Sequence, residues 1–296
     1  MKTILLCVLF LPCILKAETK FVVYQVKGNV SFTQNNITTT LKIGQMFNDA
    51  NAAIHVSYNS SAILICNNYS VINLTSPDTY SLLKLADSCK EPVGSVTSVY
   101  FRFVWDELTQ AHSSIEEHRR KYMHNIGAVT RGCEGLQFFS NYDTINYSSG
   151  FFPVKWSSAS SAPVKLVLYN DETAEMPLLK IDVADGLINL NTIKDSLQTP
   201  GGYYWNIRTG NSENCPRKYL KLWDKKSFQS FCDSVQNLIP ANLDNAEKMY
   251  MLAFILEYNY FYAESYNYYK LANNKNPSNK KYQNSIQLFM KTYFSQ

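Results

Sequence analysis

The hydrophobic residues of this chain change period near residue 225, and that change limits what it can fold into. Up to about residue 224, apart from one helical stretch between Phe101 and Met123, the apolar residues form short runs or alternate with polar ones. From Ser227 they recur every three or four positions. Alternation is the mark of half-buried strands, and the longer period that of amphipathic helices. A chain of 296 residues is also longer than one ordinary domain. The expected class is therefore multidomain α+β, with a small β roll or barrel, then a sandwich-like β block, then an α-helical module.

Ahead of the first strand lies a different segment. Met1-Lys2 is followed by an apolar run from Ile4 to Leu15, and Leu15-Lys16-Ala17 offers a cleavage point. A run this short fits the core of a signal peptide, whereas a membrane span needs about 20 apolar residues. Cys13 follows Pro12 where a lipid-anchor site wants a small residue, which argues against an anchor. The expectation is an exported protein, periplasmic or extracellular. Loss of Lys2 and Lys16 lowers the formal charge from +4 to +2. A basic stripe able to neutralise phosphates is not visible, so nucleic acid is not an expected partner.

Export permits disulfides. Without the leader, five cysteines remain: Cys66, Cys89, Cys133, Cys215 and Cys232. The odd number leaves at least one unpaired within the chain. Cys215 and Cys232 flank one short segment and form the preferred pair. Cys66 and Cys89 come next, with buried reduced thiols as the alternative for them.

Residues 21 to 86 read as short strands separated by turns such as Asn35-Asn36, Tyr58-Asn59-Ser60 and Asn67-Asn68. Within them stand Gly28-x-Val30, Leu41-x-x-Gly44, Ile54-x-Val56, Ser60/Ser61-Ala62-x-Leu64 and Ile72-x-Leu74. This series resembles the FecR-like domain over about 65 residues. Every matched position is one of packing or turning, so the resemblance implies a fold and no site. In FecR proper a membrane helix and a cytoplasmic segment acting on a sigma factor come first. Here a cleavable leader is read in that place, so sigma-factor regulation is not carried over.

Phe101 to Met123 predicts a helix with Trp105, Leu108, Ala111, Ile115 and Tyr122 on one stripe, read as packing on its own β module. Asp106 and Glu107 lie early in it and His118, Arg119, Arg120 and Lys121 late, which complements the helix dipole. His112, His118 and His124 lack metal-ligand spacing. From Phe151 to Asp224 a second strand-rich block follows, with Trp156 early and Tyr203-Tyr204-Trp205-Asn206-Ile207 late. These aromatics resemble those that fill fibronectin type III-like sandwiches. Trp205 is read as core, with a carbohydrate platform as the alternative.

In the last block Leu243 to Tyr258 and Tyr262 to Asn273 predict a helical pair, with a further helix from Lys280 to Tyr293. Counting from Ala246, Leu252-Ala253, Tyr269, Ala272 and Pro277 fall where a tetratricopeptide repeat has Leu-Gly, Phe, Ala and Pro. Met249 stands for its Trp, Leu256 for its Tyr and Ser265 for its second-helix Ala. Residues 246 to 279 thus resemble one such repeat, a class that docks peptides or proteins. Tyr258, Tyr262 and Tyr266 are the candidate partner-binding residues, since one helix cannot bury every tyrosine here.

Phosphate-loop, dinucleotide-turn, zinc-protease and nucleophile-elbow motifs are absent from the sequence. Cys133 on its Gly132-Cys133-Glu134-Gly135 turn has no base assigned to it, and structural use is the preferred reading. No catalytic residue, metal or cofactor is therefore expected. The organisation read from the chain is a leader at 1–17, a FecR-like β domain at 18–100 and a bridging helix at 101–127. A linker at 128–150, a sandwich-like domain at 151–224 and a helical module at 225–296 complete it. The expected function is a non-catalytic adaptor of the bacterial envelope that binds another protein. The alternatives are a glycan- or cell-wall-binding protein and, behind it, a hydrolase with an unrecognised site. N-terminal sequencing of the exported protein is expected to start near Glu18; an intact Met1 would overturn the leader.

Overall fold

The computed structural model describes residues 19–48, 51–89, 97–110, 118, 119, 121–123, 136–138, 143–158, 163–183, 186–197, 200–209 and 215–294. The chain is α+β and divides into two compact units, Met1–Glu91 and Pro92–Gln296.

The first unit is built from short antiparallel strands: β1 (Phe21–Lys27), β2 (Val30–Gln34), β3 (Ile37–Thr40), β4 (Met46–Phe47), β5 (Ala53–Val56), β6 (Ser61–Cys66), β7 (Val71–Leu74) and β8 (Asp78–Ser81). They form two sheets, ordered β4-β1-β6-β7 and β3-β2-β5-β8. Helix α1 (Leu82–Ser88) closes the unit. Alternation along β2 and β5 puts Val30, Phe32, Ile54 and Val56 into one core with Phe21, Val23, Leu64 and Leu74. Gly28 and Gly44 turn the chain at φ 75° and 79°. At Gly28 the space for a side chain is also taken, because a Cβ would stand 2.4 Å from Ser60 Oγ. That hydroxyl accepts the Asn29 N–H at 2.9 Å, so one serine seats the whole turn. The positions quoted for the FecR-like resemblance are all packing or turn positions here.

Cys66 and Cys89 are joined, Cα to Cα 6.1 Å, which ties the end of β6 to the end of α1. The Cys215–Cys232 pairing does not form. Cys232 is a buried free thiol, pushed up to about 11 by burial, then by the nearby Glu264 and Asp233 carboxylates. Cys215 is disulfide-bonded, but its partner lies outside the described residues, where the chain has Cys7, Cys13 and Cys133. Sequence proximity misleads here because strand β16 (Lys218–Leu222) intervenes.

The second unit contains helix α2 (Ser98–Thr109) and strands β9 (Leu136–Phe138), β10 (Thr144–Tyr147), β11 (Pro153–Ser158), β12 (Val164–Tyr169), β13 (Leu179–Val183) and β14 (Leu187–Asn189). Helix α3 (Leu190–Ser196), β15 (Gly201–Thr209) and β16 follow. Last come α4 (Lys225–Gln236), α5 (Asn245–Tyr258), α6 (Tyr262–Lys275) and α7 (Lys280–Tyr293). One sheet runs β10-β16-β15-β12-β13, with β10 parallel to β16, and a smaller one runs β14-β11-β9. Trp156 and Trp205 are buried among these strands.

Strand β10 is fixed to the turn between α5 and α6. The Asn146 N–H donates to the Tyr260 carbonyl at 3.0 Å, and its side-chain amide donates to the Asn259 carbonyl at 2.8 Å. Trp223 Nε1 donates to Asn146 Oδ1 at 3.0 Å. One asparagine thus joins sheet and helices, which places the β block and the helices in one unit.

The bridging helix is shorter than its stripe suggested. It starts at Ser98 and stops at Thr109, since Gln110 is extended at φ −117° and ψ 144°. Its apolar face packs on helices of its own unit. Tyr100 and Phe103 meet Phe254 of α5, with ring centroids 5.4 and 4.8 Å apart. Of the predicted stripe Trp105 is buried and Leu108 and Tyr122 are half-buried, and the ring contacts to α5 come from Tyr100 and Phe103 instead. Ala111 and Ile115 lie outside the described residues.

Peptide mapping without reduction is expected to recover Cys66 linked to Cys89. Cys232 should be alkylated only after unfolding. A Cys215–Cys232 peptide would overturn the assignment.

Candidate functional site

Helices α4 and α5 start at well-made caps. The Asp224 carboxylate accepts the Ser227 N–H at 2.9 Å, and that of Asp244 accepts the Glu247 N–H at 2.7 Å. Helices α5 and α6 approach closely where Ala253 and Ala272 are fully buried, and Ser265 Oγ donates across the contact to the Ala253 carbonyl at 2.8 Å.

Between α4 and α5 the chain turns through Leu238-Ile239-Pro240-Ala241. This turn leaves a cleft of about 460 Å³ lined by Gln236, Asn237, Ile239, Ala241, Lys248, Met249 and Leu252. Ile239 and Leu252 are buried and form an apolar floor, whereas Gln236 and Asn237 are exposed. Lys248 Nζ donates to the Ala241 carbonyl at 2.7 Å and so braces the turn. Leu238, in the same turn, is 51% exposed. An apolar floor with a few polar groups at the rim is the usual lining of a binding cleft.

Below the cleft the helices enclose a buried polar cluster. The Arg119 guanidinium forms an ion pair with Glu257 and donates to the Ser285 carbonyl at 3.2 Å. Tyr269 O–H donates to the same Glu257 oxygen at 2.9 Å. Desolvation is the largest single influence and works against the Arg119 charge, but Glu257 together with Tyr269, Tyr250 and Tyr293 outweighs it and holds the group protonated. Glu247, on the first turn of α5, accepts from Tyr100 O–H at 2.6 Å, Tyr282 O–H at 2.7 Å and the Lys281 ammonium at 2.6 Å. Burial first, then Glu247, raises the Tyr282 phenol. These groups bind helices together, and of them Lys281 alone keeps about a third of its side chain, 34%, exposed.

The tyrosines do not form the outward face expected of them. Tyr262 is fully buried, its ring 5.4 Å from Phe152 and 4.6 Å from Tyr293. Its place on the inner side of α6, toward β11 and α7, overrides the argument from crowding. Tyr266 is half-buried against Phe289 and Phe294, at 5.6 and 4.8 Å. Tyr258 is half-buried near the end of α5. The cleft residues were missed because none is aromatic. Met249, in the place of a repeat's Trp, was the available signal.

Among the described residues no group of His, Cys, Asp and Glu could hold a metal ion, and no helix is long and apolar enough to cross a membrane. Cys133, His112 and His124 lie outside the described residues. Comparison with known proteins finds no family model and no curated protein that matches the chain.

Replacing Arg119 with Met strips the buried Glu257 carboxyl of its ionic partner, so a loss of about 3–5 kcal/mol is expected in urea unfolding. Adding Glu257→Leu to that variant should recover part of the loss. A single-variant loss below about 1 kcal/mol would show that the pair does not hold the helices.

Proposed function

We propose that this chain is an exported, non-catalytic adaptor of the bacterial envelope. In this reading a FecR-like module and a tetratricopeptide-type hairpin form its frame, and the cleft between α4 and α5 docks a segment of another protein. The observation that carries it is the cleft itself, with an apolar floor at Ile239 and Leu252 and a polar rim at Gln236, Asn237 and Lys248. The Cys66–Cys89 bond supports an oxidising compartment. The glycan-binding alternative draws less support, because Trp156 and Trp205, the rings it would use as platforms, are buried.

Ala241 is exposed at the cleft rim, so Ala241→Trp fills the cleft from outside with little effect on the fold. Pull-downs from envelope extract with the mature chain and with this variant decide the reading. Proteins recovered by the wild type and lost from the variant are expected. Equal recovery by both would remove the cleft as the docking site, and recovery of wall fragments or oligosaccharides alone would favour the alternative.

A further inference from the structure

Glu264 stands in the first turn of α6 and is 3% exposed. Its Oε1 accepts the backbone N–H groups of Ser148 at 2.5 Å and Ser149 at 2.8 Å, in the loop that follows β10. Its Oε2 is buried without a hydrogen-bond partner. Neither protonation state is therefore fully met. An ionised carboxylate keeps a charged oxygen away from water, and a protonated one keeps a hydroxyl without an acceptor.

The loop is held from both sides. Lys194 on α3 donates to the Ser148 carbonyl, and Tyr147 O–H donates to the Gly150 carbonyl at 2.8 Å. Gly150, at φ 108°, lies so close to α6 that a Cβ there would stand 2.9 Å from Asn267 Nδ2 and 3.6 Å from Ala263 Cβ. Lys194 on α3 bears on Glu264 directly, and Glu264 in turn bears on Tyr147 of β10 and Cys232 of α4, which also feel Asp195 and Asp233 respectively. Tyr268 on α6 is coupled to that set through Cys232. Lys194 is the one cation among them.

We propose that Glu264 is a proton-operated latch on the Ser148–Ser149 loop. The two amides by themselves favour the carboxylate, but a buried charge with one oxygen unpartnered costs more than a buried neutral carboxyl. Protonation therefore favours the closed loop, and ionisation favours its opening to water. Burial pushes the Glu264 carboxyl up to about 7, and the two amides and Lys194 only partly oppose this. A group whose closed-state affinity for a proton exceeds its open-state affinity favours closure at low pH. That advantage is complete below the ordinary carboxyl range and is lost as pH rises to neutrality. The loop joins the strand docked on the α5–α6 turn to β11, so its release would free the sheet from the first turn of α6.

Residue-resolved hydrogen exchange on the full mature chain tests this. After correction for intrinsic pH dependence, opening at Ser148 and Ser149 is expected to rise by up to about tenfold per pH unit between about pH 5 and 7, then level off. In Glu264→Gln the same amides should show no such slope. A flat profile in the wild type, or an unchanged slope in the variant, would overturn the latch. Should the variant not fold, the carbon-13 carboxyl titration of Glu264 in the wild type serves instead. A midpoint near neutrality is expected, and one below about 5 overturns the proposal.

Discussion

The ion pair between Arg119 and Glu257 is the contact on which the helical part depends. It lies where α5, α6 and α7 meet, and it is satisfied by a tyrosine hydroxyl and a backbone carbonyl as well as by its own opposite charge. A buried pair of this kind adds little to stability relative to a well-packed apolar core, but it tolerates few alternative arrangements. The guanidinium bonds to Glu257, Tyr269 and Ser285, one on each of the three helices, so a helix shifted by one turn would leave charge without a partner in a low-dielectric interior. The pair therefore fixes the register of three helices and draws residue 119 into their core.

Tyrosine serves the same end. Tyr100, Tyr250, Tyr269 and Tyr282 each bury a ring and bring a hydroxyl to a carboxylate or a serine. A core of this composition combines apolar area with directional bonding, which leucine cannot do. The many tyrosines of the last block are mostly interior residues with a polar end, and their number says little about the surface.

The class of fold was legible because it rests on local pattern. Alternation along β2 and β5 and the three-to-four spacing of α4 follow from which face each residue must bury, whereas β12 buries four successive residues, Leu166 to Tyr169. Turn chemistry was legible as well, at Gly28, Gly44 and Asn35-Asn36, because backbone conformation is a nearby property. What escaped were facts of distant pairing. Cys215 and Cys232 looked like partners from their spacing, yet β16 separates them. Arg119 looked like a surface charge at a helix end, because Glu257, its partner, stands 138 residues further on. Tyr262 looked outward because a count of tyrosines cannot show that Phe152 and Tyr293 close over it. The cleft arises from a bend at Pro240 between two helices, and no single side chain announces it.

The three glutamates of the helical module, Glu247, Glu257 and Glu264, are all buried. From Lys225 onward the sequence has eight lysines, so the acids left on the outside of that stretch are Asp233 and Asp244. A formal sum near neutrality thus describes the chain and misdescribes its surface. Sorting one sign inward gives the helical end a positive exterior potential, which gathers anions and fades with added salt over about 8–10 Å. Ionic strength, more than the isoelectric point, sets how this end meets a charged neighbour.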